Sequence, residues 1–434
     1  MKHAKRICTV LAMMLCAALA LVGCRDQTPP LPDEMTETDV RSQEDTKRET
    51  EGQTDPATTP ETDLDTAPET DPEPETEPAP QCLEYRLRSD GAYAVVGIGT
   101  WIDAELVIPS EYNGAPVVEV EREAFQTATH LTSITIPASV TEVYDIEFPV
   151  STTLTEIRVD EENQHFASYD GLLYNKEMTE LIYCPRGKTS VTMPDRVTTV
   201  GSYAFTNCSN LVEIRIPDGV TELGCSTFEN CTSLTTVIFP AYMTDIGHFS
   251  FSGCTALTEI RLPDGLTDIS EHLFAKCTSL TTVEIPDSVK RIINGAFFGC
   301  TSLTTIDLPD GLTRICENAF ENCSGLTSID IPAGVREIER FVFHFCSNLT
   351  SVVLPEGVIS IDEYAFRFAT GLKSVTIPKS VIHIGDWAFE GSSALTDVYY
   401  AGTEEEWNAL TENVSLTDET TEYTVHFNYA PNGS

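Results

Sequence analysis

A period of 23 residues runs without a gap from Lys188 to Leu395 and constrains this chain more than any other feature. Leu fills the first column at Leu211, Leu234, Leu257, Leu280, Leu303, Leu326, Leu349, Leu372 and Leu395. Pro stands six residues later in each copy, from Pro194 to Pro378. Phe follows at Phe205, Phe228, Phe251, Phe274, Phe297, Phe320, Phe343, Phe366 and Phe389, and Cys at Cys208, Cys231, Cys254, Cys277, Cys300, Cys323 and Cys346. One unit of this size buries little. Stacked units make continuous Leu, Ile, Phe and Cys columns, so the repeat predicts a solenoid rather than the two or three globular domains suggested by 434 residues.

Each copy reads as one turn of a coil. In Leu280-Thr-Thr-Val-Glu-Ile-Pro286 the apolar residues stand first, fourth and sixth in a β-branched run, which predicts a short strand with one buried face. Pro ends the strand because it cannot donate to a ladder, and Pro-Asp-Gly (217–219, 263–265, 309–311) supplies a β-turn. A second apolar pair such as Leu266 and Ile269 turns the chain back along the core. The Ala-Phe segment is too short for more than about one helical turn and delivers Phe and Cys inward.

The Leu-x-x-Ile-x-Ile start resembles leucine-rich repeats. The fuller pattern, Leu-Thr-x-Ile-x-Ile-Pro-x-x-Val-x-x-Ile-x-x-x-Ala-Phe-x-x-Cys, is similar to the BspA-type leucine-rich repeats of bacterial surface proteins, over residues 82 to 428. The resemblance implies an α/β-type solenoid, a right-handed coil of 23-residue turns with short parallel strands on one face, capped at both ends. Ile108-Pro109 followed by Asn113-Gly114-Ala115-Pro116-Val117 matches the family's opening turn. The stretch from Tyr169-Asp170-Gly171 to Cys184-Pro185 resembles its hairpin insertion, placed at about 165–187; it adds 11 residues, since the first columns at Leu154 and Lys188 are 34 apart.

The flanks read differently. Residues 1–23 have a basic start (Lys2, Lys5, Arg6) and an apolar run to Val22, the shape of an export signal too short for a stable span. Leu21-Val22-Gly23-Cys24 resembles the lipobox of bacterial lipoproteins, which implies lipidation of Cys24; an ordinary cleaved signal with an incidental Cys is the alternative. From Arg25 to Pro80, 56 residues hold 18 Asp/Glu, 12 Thr and 10 Pro. With Cys24 they form a 24–80 stalk, expected to be disordered and to reach about 170 Å when stretched; its Thr runs are also candidates for glycosylation. An N-terminal cap and opening turn are expected over 81–130, the solenoid over 131–394 and a C-terminal cap over 395–434. In the last, Thr403 to Glu406 reads as a capping box and Trp407 as the plug of the final turn, with ligand binding as its alternative.

The formal charge is −42, of which residues 81–434 carry −31, so nucleic acid and anionic lipid headgroups are repelled. No Cys-x-x-Cys, His-Glu-x-x-His, Gly-x-Ser-x-Gly or phosphate loop is present, and the eight His fall at unrelated offsets, which argues against an enzyme. An exported chain invites disulfides, and adjacent rungs are close enough for them. Against that, Ala369 and Ser392 occupy the Cys column in the last two turns, so free buried thiols acting as small fillers are the preferred reading. Asp195, Asp218, Asp264, Asp287, Asp310 and Glu356 share a turn edge; it either collects Ca²⁺ or is simply solvated, and no cofactor is otherwise expected.

The reading is therefore a monomeric, non-catalytic surface lipoprotein, held outside the membrane by its lipid alone. The resemblance implies adhesion to host or other cells through proteins; a structural surface component and a carbohydrate-capturing lipoprotein remain alternatives. For sugar capture the aromatic candidates are Tyr399, Tyr400 and Trp407. For protein capture the face is set by the strand pleat, whose third and fifth residues point outward. Those columns give Glu213, Arg215, Glu259 and Arg261 in early turns, then Glu284, Asp307 and Asp330. Cys24→Ala is expected to release or mislocalise the protein, because the stalk has no other membrane affinity. Processed mutant protein that stays in the membrane fraction would refute lipidation.

Overall fold

The structure, a computed structural model, describes residues 82–121, 123–143, 152–418 and 421–430. The chain divides into two units, 1–79 and 80–434, and every described residue belongs to the second. The export signal, Cys24 and the stalk lie outside the described residues.

The chain begins with an antiparallel hairpin of β1 (Glu84–Leu87) and β2 (Tyr93–Gly97). After β3 (Glu105–Val107), a second hairpin joins β4 (Glu111–Tyr112) to β5 (Ala115–Val120), turning at Asn113 and Gly114 with φ of 51° and 76°. Both central residues being left-handed defines a type I′ turn, the form that Asn-Gly favours. β6 (Ser133–Ile136) pairs in parallel with β3 and β8 (Glu156–Val159) with β6, while β7 (Glu142–Val143) pairs with β5. The insertion is a three-stranded antiparallel unit, β9 (Phe166–Tyr169), β10 (Leu172–Asn175) and β11 (Glu180–Tyr183). Its last strand joins the solenoid by pairing in parallel with Thr199–Val200.

Beyond the insertion each turn stacks on the next in a register of 23, as in Glu213↔Thr236 and Glu259↔Thr282. The first face carries the expected strands at 213–215, 236–238, 259–261, 282–284, 351–353, 374–377 and 397–400. Three arms differ from expectation, since Ser190–Thr192 and the adjacent Thr305–Asp307 and Ser328–Asp330 form no strand. Side-chain hydrogen bonds cross this gap, with Thr327 Oγ1 donating to the Thr304 carbonyl at 3.1 Å and Thr350 Oγ1 to Thr327 at 3.2 Å. A second face was not foreseen as strand. Pairs such as Glu222–Leu223, Asp268–Ile269 and Arg291–Ile292 form their own parallel ladders, each burying its apolar member.

The Ala-Phe edge is not helical. The Phe N–H donates to a carbonyl 22 residues ahead, as from Phe205 to Thr227 and Phe297 to Ala319, both at 2.9 Å. Residues two before and two after each Phe are left-handed, which suits Asn207, Asn230 and Asn322 (φ 60°, 58°, 57°). Phe345 and Phe368 hold the same conformation at φ 59° and 54°, a strained choice for a bulky side chain, and stack at 5.2 Å.

Inside, the nine Phe rings form one file. Successive centroids lie 5.0 to 5.9 Å apart with interplanar angles of 1° to 18°. The seven ladder cysteines are buried free thiols. They are more than fillers. Cys277 Sγ donates to the carbonyl of Phe251 at 3.0 Å, and Cys231, Cys254, Cys300, Cys323 and Cys346 repeat that bond at 3.1 to 3.2 Å. Ser392 makes the same bond to Phe366 at 2.8 Å, which explains why a hydroxyl stands in this column. Burial pushes the thiols of Cys277 and Cys323 up to about 12, so little reactive thiolate forms.

The described core falls into two clusters. One runs from Leu83 to Tyr183 and the other from Leu172 to Leu416. β10 is their shared wall: Leu172 and Tyr174 face one cluster while Leu173 faces the other, as strand alternation requires.

Two measurements check the thiol column. Cys277→Ala is expected to cost about 1 kcal/mol, since the Phe251 carbonyl still accepts from the Cys254 N–H at 3.1 Å, whereas Cys277→Asn buries unpaired amide hydrogens and costs about 1–3 kcal/mol more. In native labelling at pH 8, exposed Cys82 reacts and the seven ladder thiols stay unmodified until denaturant is added. Ladder thiols that resist alkylation after denaturation would mean disulfides instead.

Candidate functional surface

The outward columns lie on the surface, placed by the strand pleat at 213–215, 259–261 and 282–284 and by arms without strand at Asp307 and Asp330. Glu213, Arg215, Glu259, Arg261, Glu284, Asp307 and Asp330 are all exposed, whereas the residues between them, such as Ile214, Ile260 and Ile306, are buried. Parallel pairing stacks like positions directly, with Arg215 beside Ile238 and Arg261 beside Glu284. The Arg261 guanidinium is 3.6 Å from Glu284, and Arg215 is 3.3 Å from Asp218, three residues on in the same copy. Both pairs are exposed and contribute little to stability, at most about 1 kcal/mol. Their effect is on the field. Glu284 is partly neutralised, so the acidic character of the later turns rests on Asp307 and Asp330, which enter no ion pair among the described residues.

The aromatic candidates for sugar capture are packed away. Tyr400 and Trp407 are 3% and 5% exposed, with ring centroids 5.3 Å apart. Trp407 lies on α1 (Glu404–Thr411), whose start is held by the anticipated capping box: Thr403 accepts from the Glu406 N–H, and Glu406 accepts from the Thr403 N–H. Tyr399 stacks on His426 at 4.7 Å and meets the tilted ring of Tyr429 at 4.6 Å, so neighbouring rings occupy it. Tyr400 and Trp407 belong to the core cluster, and the group offers no open aromatic platform.

Among the described residues no three His, Cys, Asp or Glu side chains gather as a metal site would require. The histidines serve locally. His344, buried, lies 3.1 Å from Glu321, and His426 Nε2 lies 2.7 Å from Asp397, whose carboxyl is held below its usual range mainly by that hydrogen bond.

One surface feature was missed from sequence. Beside the insertion lies an open cleft of about 630 Å³, lined by β8, the hairpin tip at Tyr169–Gly171 and residues 187–190. The available signal was Lys188, a charged residue in a column otherwise held by Leu.

A model of the BspA-type leucine-rich repeat region, in six copies, matches residues 111–187, 176–297 and 267–396. No curated protein matches the chain. Among solved structures, a leucine-rich repeat protein from Eubacterium ventriosum is 29% identical, with a TM-score of 0.50 over 56% of this chain and 65% of its own. One from Bacteroides ovatus is 26% identical, with a TM-score of 0.47 over 79% of this chain and 98% of its own. A leucine rich cell surface protein from Faecalibacterium prausnitzii is 25% identical, with a TM-score of 0.48 over 80% and 100%. Leucine-rich repeat solenoids are typically non-catalytic binding scaffolds, and no enzymatic family is indicated. With its 23-residue register, Phe and Cys files and a family match spanning 111–396, the chain belongs to the BspA-type leucine-rich repeat family.

Proposed function

We propose that this chain is a surface-displayed, lipid-anchored module that captures extracellular proteins through the outward columns of its first face. One observation carries the reading: core columns repeat the same residue from turn to turn, whereas the exposed columns change identity along the solenoid. Glu213 and Arg215 give way to Glu284, Asp307 and Asp330 on an otherwise regular scaffold. Repetition serves folding, and variation on an exposed ladder supplies the information a partner can read. The family match and its surface-protein relatives support the location; Cys24 supplies the anchor and the acidic stalk the reach. The acidic end of the face fits a partner with a basic patch.

The test is a charge reversal. Glu284→Lys, Asp307→Lys and Asp330→Lys together are expected to weaken capture of basic host-matrix proteins by about tenfold or more. Unfolding should shift by less than about 0.5 kcal/mol, because all three side chains are exposed. Surface plasmon resonance with the mature chain reads the first effect and denaturant titration the second. Undiminished capture by the triple variant would remove this face from the proposal.

A further inference from the structure

The 23-residue frame slips once, between Leu154 and Lys188, and the wall of the solenoid opens there. The cleft's lining differs in kind from ordinary small-molecule pockets, which are mostly apolar. Ile157, buried, is its one apolar side chain; the others are Glu156, Arg158, Tyr169, Asp170, Lys188 and small hydroxyls. Its four charges cancel in a part of the protein that otherwise carries −31. Arg158 meets Glu156 at 2.5 Å and Lys188 meets Asp170 at 3.2 Å, and the second Asp170 oxygen accepts the Thr192 N–H at 2.8 Å. Lys188 has given up a core position to make its pair. Asp170 and Gly171, at φ 50° and 74°, form the tight turn that lifts Tyr169 to the rim with 45% of its surface exposed.

These features select the ligand. An anion gains little from cations already paired. A peptide strand has no edge to join, because the Ile157 N–H donates to the Gly171 carbonyl at 2.9 Å and the Val159 N–H to Ser168 Oγ at 3.0 Å. A polyhydroxylated neutral molecule suits the site. Each sugar hydroxyl both donates and accepts, so it bonds the remaining lone pairs of Glu156 and Asp170 and the remaining hydrogens of Arg158 and Lys188 without breaking either ion pair. The apolar face of a sugar ring then packs on the exposed ring of Tyr169.

We infer that this cleft is a binding site for a neutral oligosaccharide, with Tyr169 as its platform and the Glu156–Arg158 and Asp170–Lys188 pairs as its hydrogen-bonding walls. Glu156 and Arg158 stand on the same outward columns at the Leu154 turn, but the site shares no residue with the acidic turns at Glu284, Asp307 and Asp330 and takes a different class of ligand.

The full mature chain is titrated calorimetrically with maltotriose, cellotriose, mannotriose, chitotriose and lactose, each to about 10 mM, the weak end of specific recognition. At least one is expected to saturate, and Tyr169→Ala and Arg158→Ala each to weaken it more than tenfold with an unchanged melting temperature. Tyr169→Leu, which keeps the strand's bulk without the ring, shows the same loss if Tyr169→Ala does not fold. The variant reversed at Glu284, Asp307 and Asp330 binds the sugar as the parent does, so failure of the protein-capture reading stays distinct from failure of this one. Saturation by none of the five, wild-type affinity in the Tyr169 variants, or stronger binding of an acidic oligosaccharide would each overturn the assignment.

Discussion

Every other feature of the solenoid depends on hydrogen bonds that hold residue i against residue i+23. When the backbone of one turn bonds in register to the next, identical side chains must lie on top of one another. The sequence then has to contain residues that tolerate their own neighbour. Phe does so by stacking its ring at 5.0 to 5.9 Å, and Thr by passing its hydroxyl to the carbonyl of the previous turn. Cys fills its narrow column and donates its thiol hydrogen to the carbonyl of a Phe. Opposite charges gain from stacking, as with Asp268 and Arg291, joined at 2.6 Å, whereas like charges stacked in register, Arg291 on Arg314 and Glu222 on Asp245, sit on the exposed or half-buried side of the second face.

Much of this was legible in sequence because a repeat reports its own register. The period located the core columns, and strand alternation gave the outward columns without reference to any structure. Legibility failed where local pattern carries less information than stacking. Two-residue strands such as Arg291–Ile292 are too short to show alternation, so the second face read only as a turn back along the core. The left-handed positions flanking each Phe were hidden for a similar reason. Asn and Gly mark them in some turns, but Phe345, Phe368 and Trp387 take the same backbone against their own preference. Trp407 was legible as a packed plug, yet sequence could not show that Tyr400 is buried with it or that neighbouring rings occupy Tyr399.

Function in such a scaffold is a matter of departures from the repeat. The turns that stack best are the ones with least to distinguish them. The insertion and its Lys188 break the frame, and the exposed columns vary within it. These two kinds of irregularity create different chemistry, an open ladder with an acidic end and a charge-balanced polar cleft. A broad ladder suits a large partner, and a cleft suits a small one.

The shared wall at β10 also shapes how the molecule comes apart. Nearest-neighbour coupling makes a uniform solenoid unzip as one long cooperative array, but a seam with separate cores on either side weakens that coupling. A chain pulled from its amino-terminal end would therefore surrender the block before the hairpin first. The longer array behind it, with its unbroken file of Phe rings, would stay folded, so that the early turns act as a mechanical fuse.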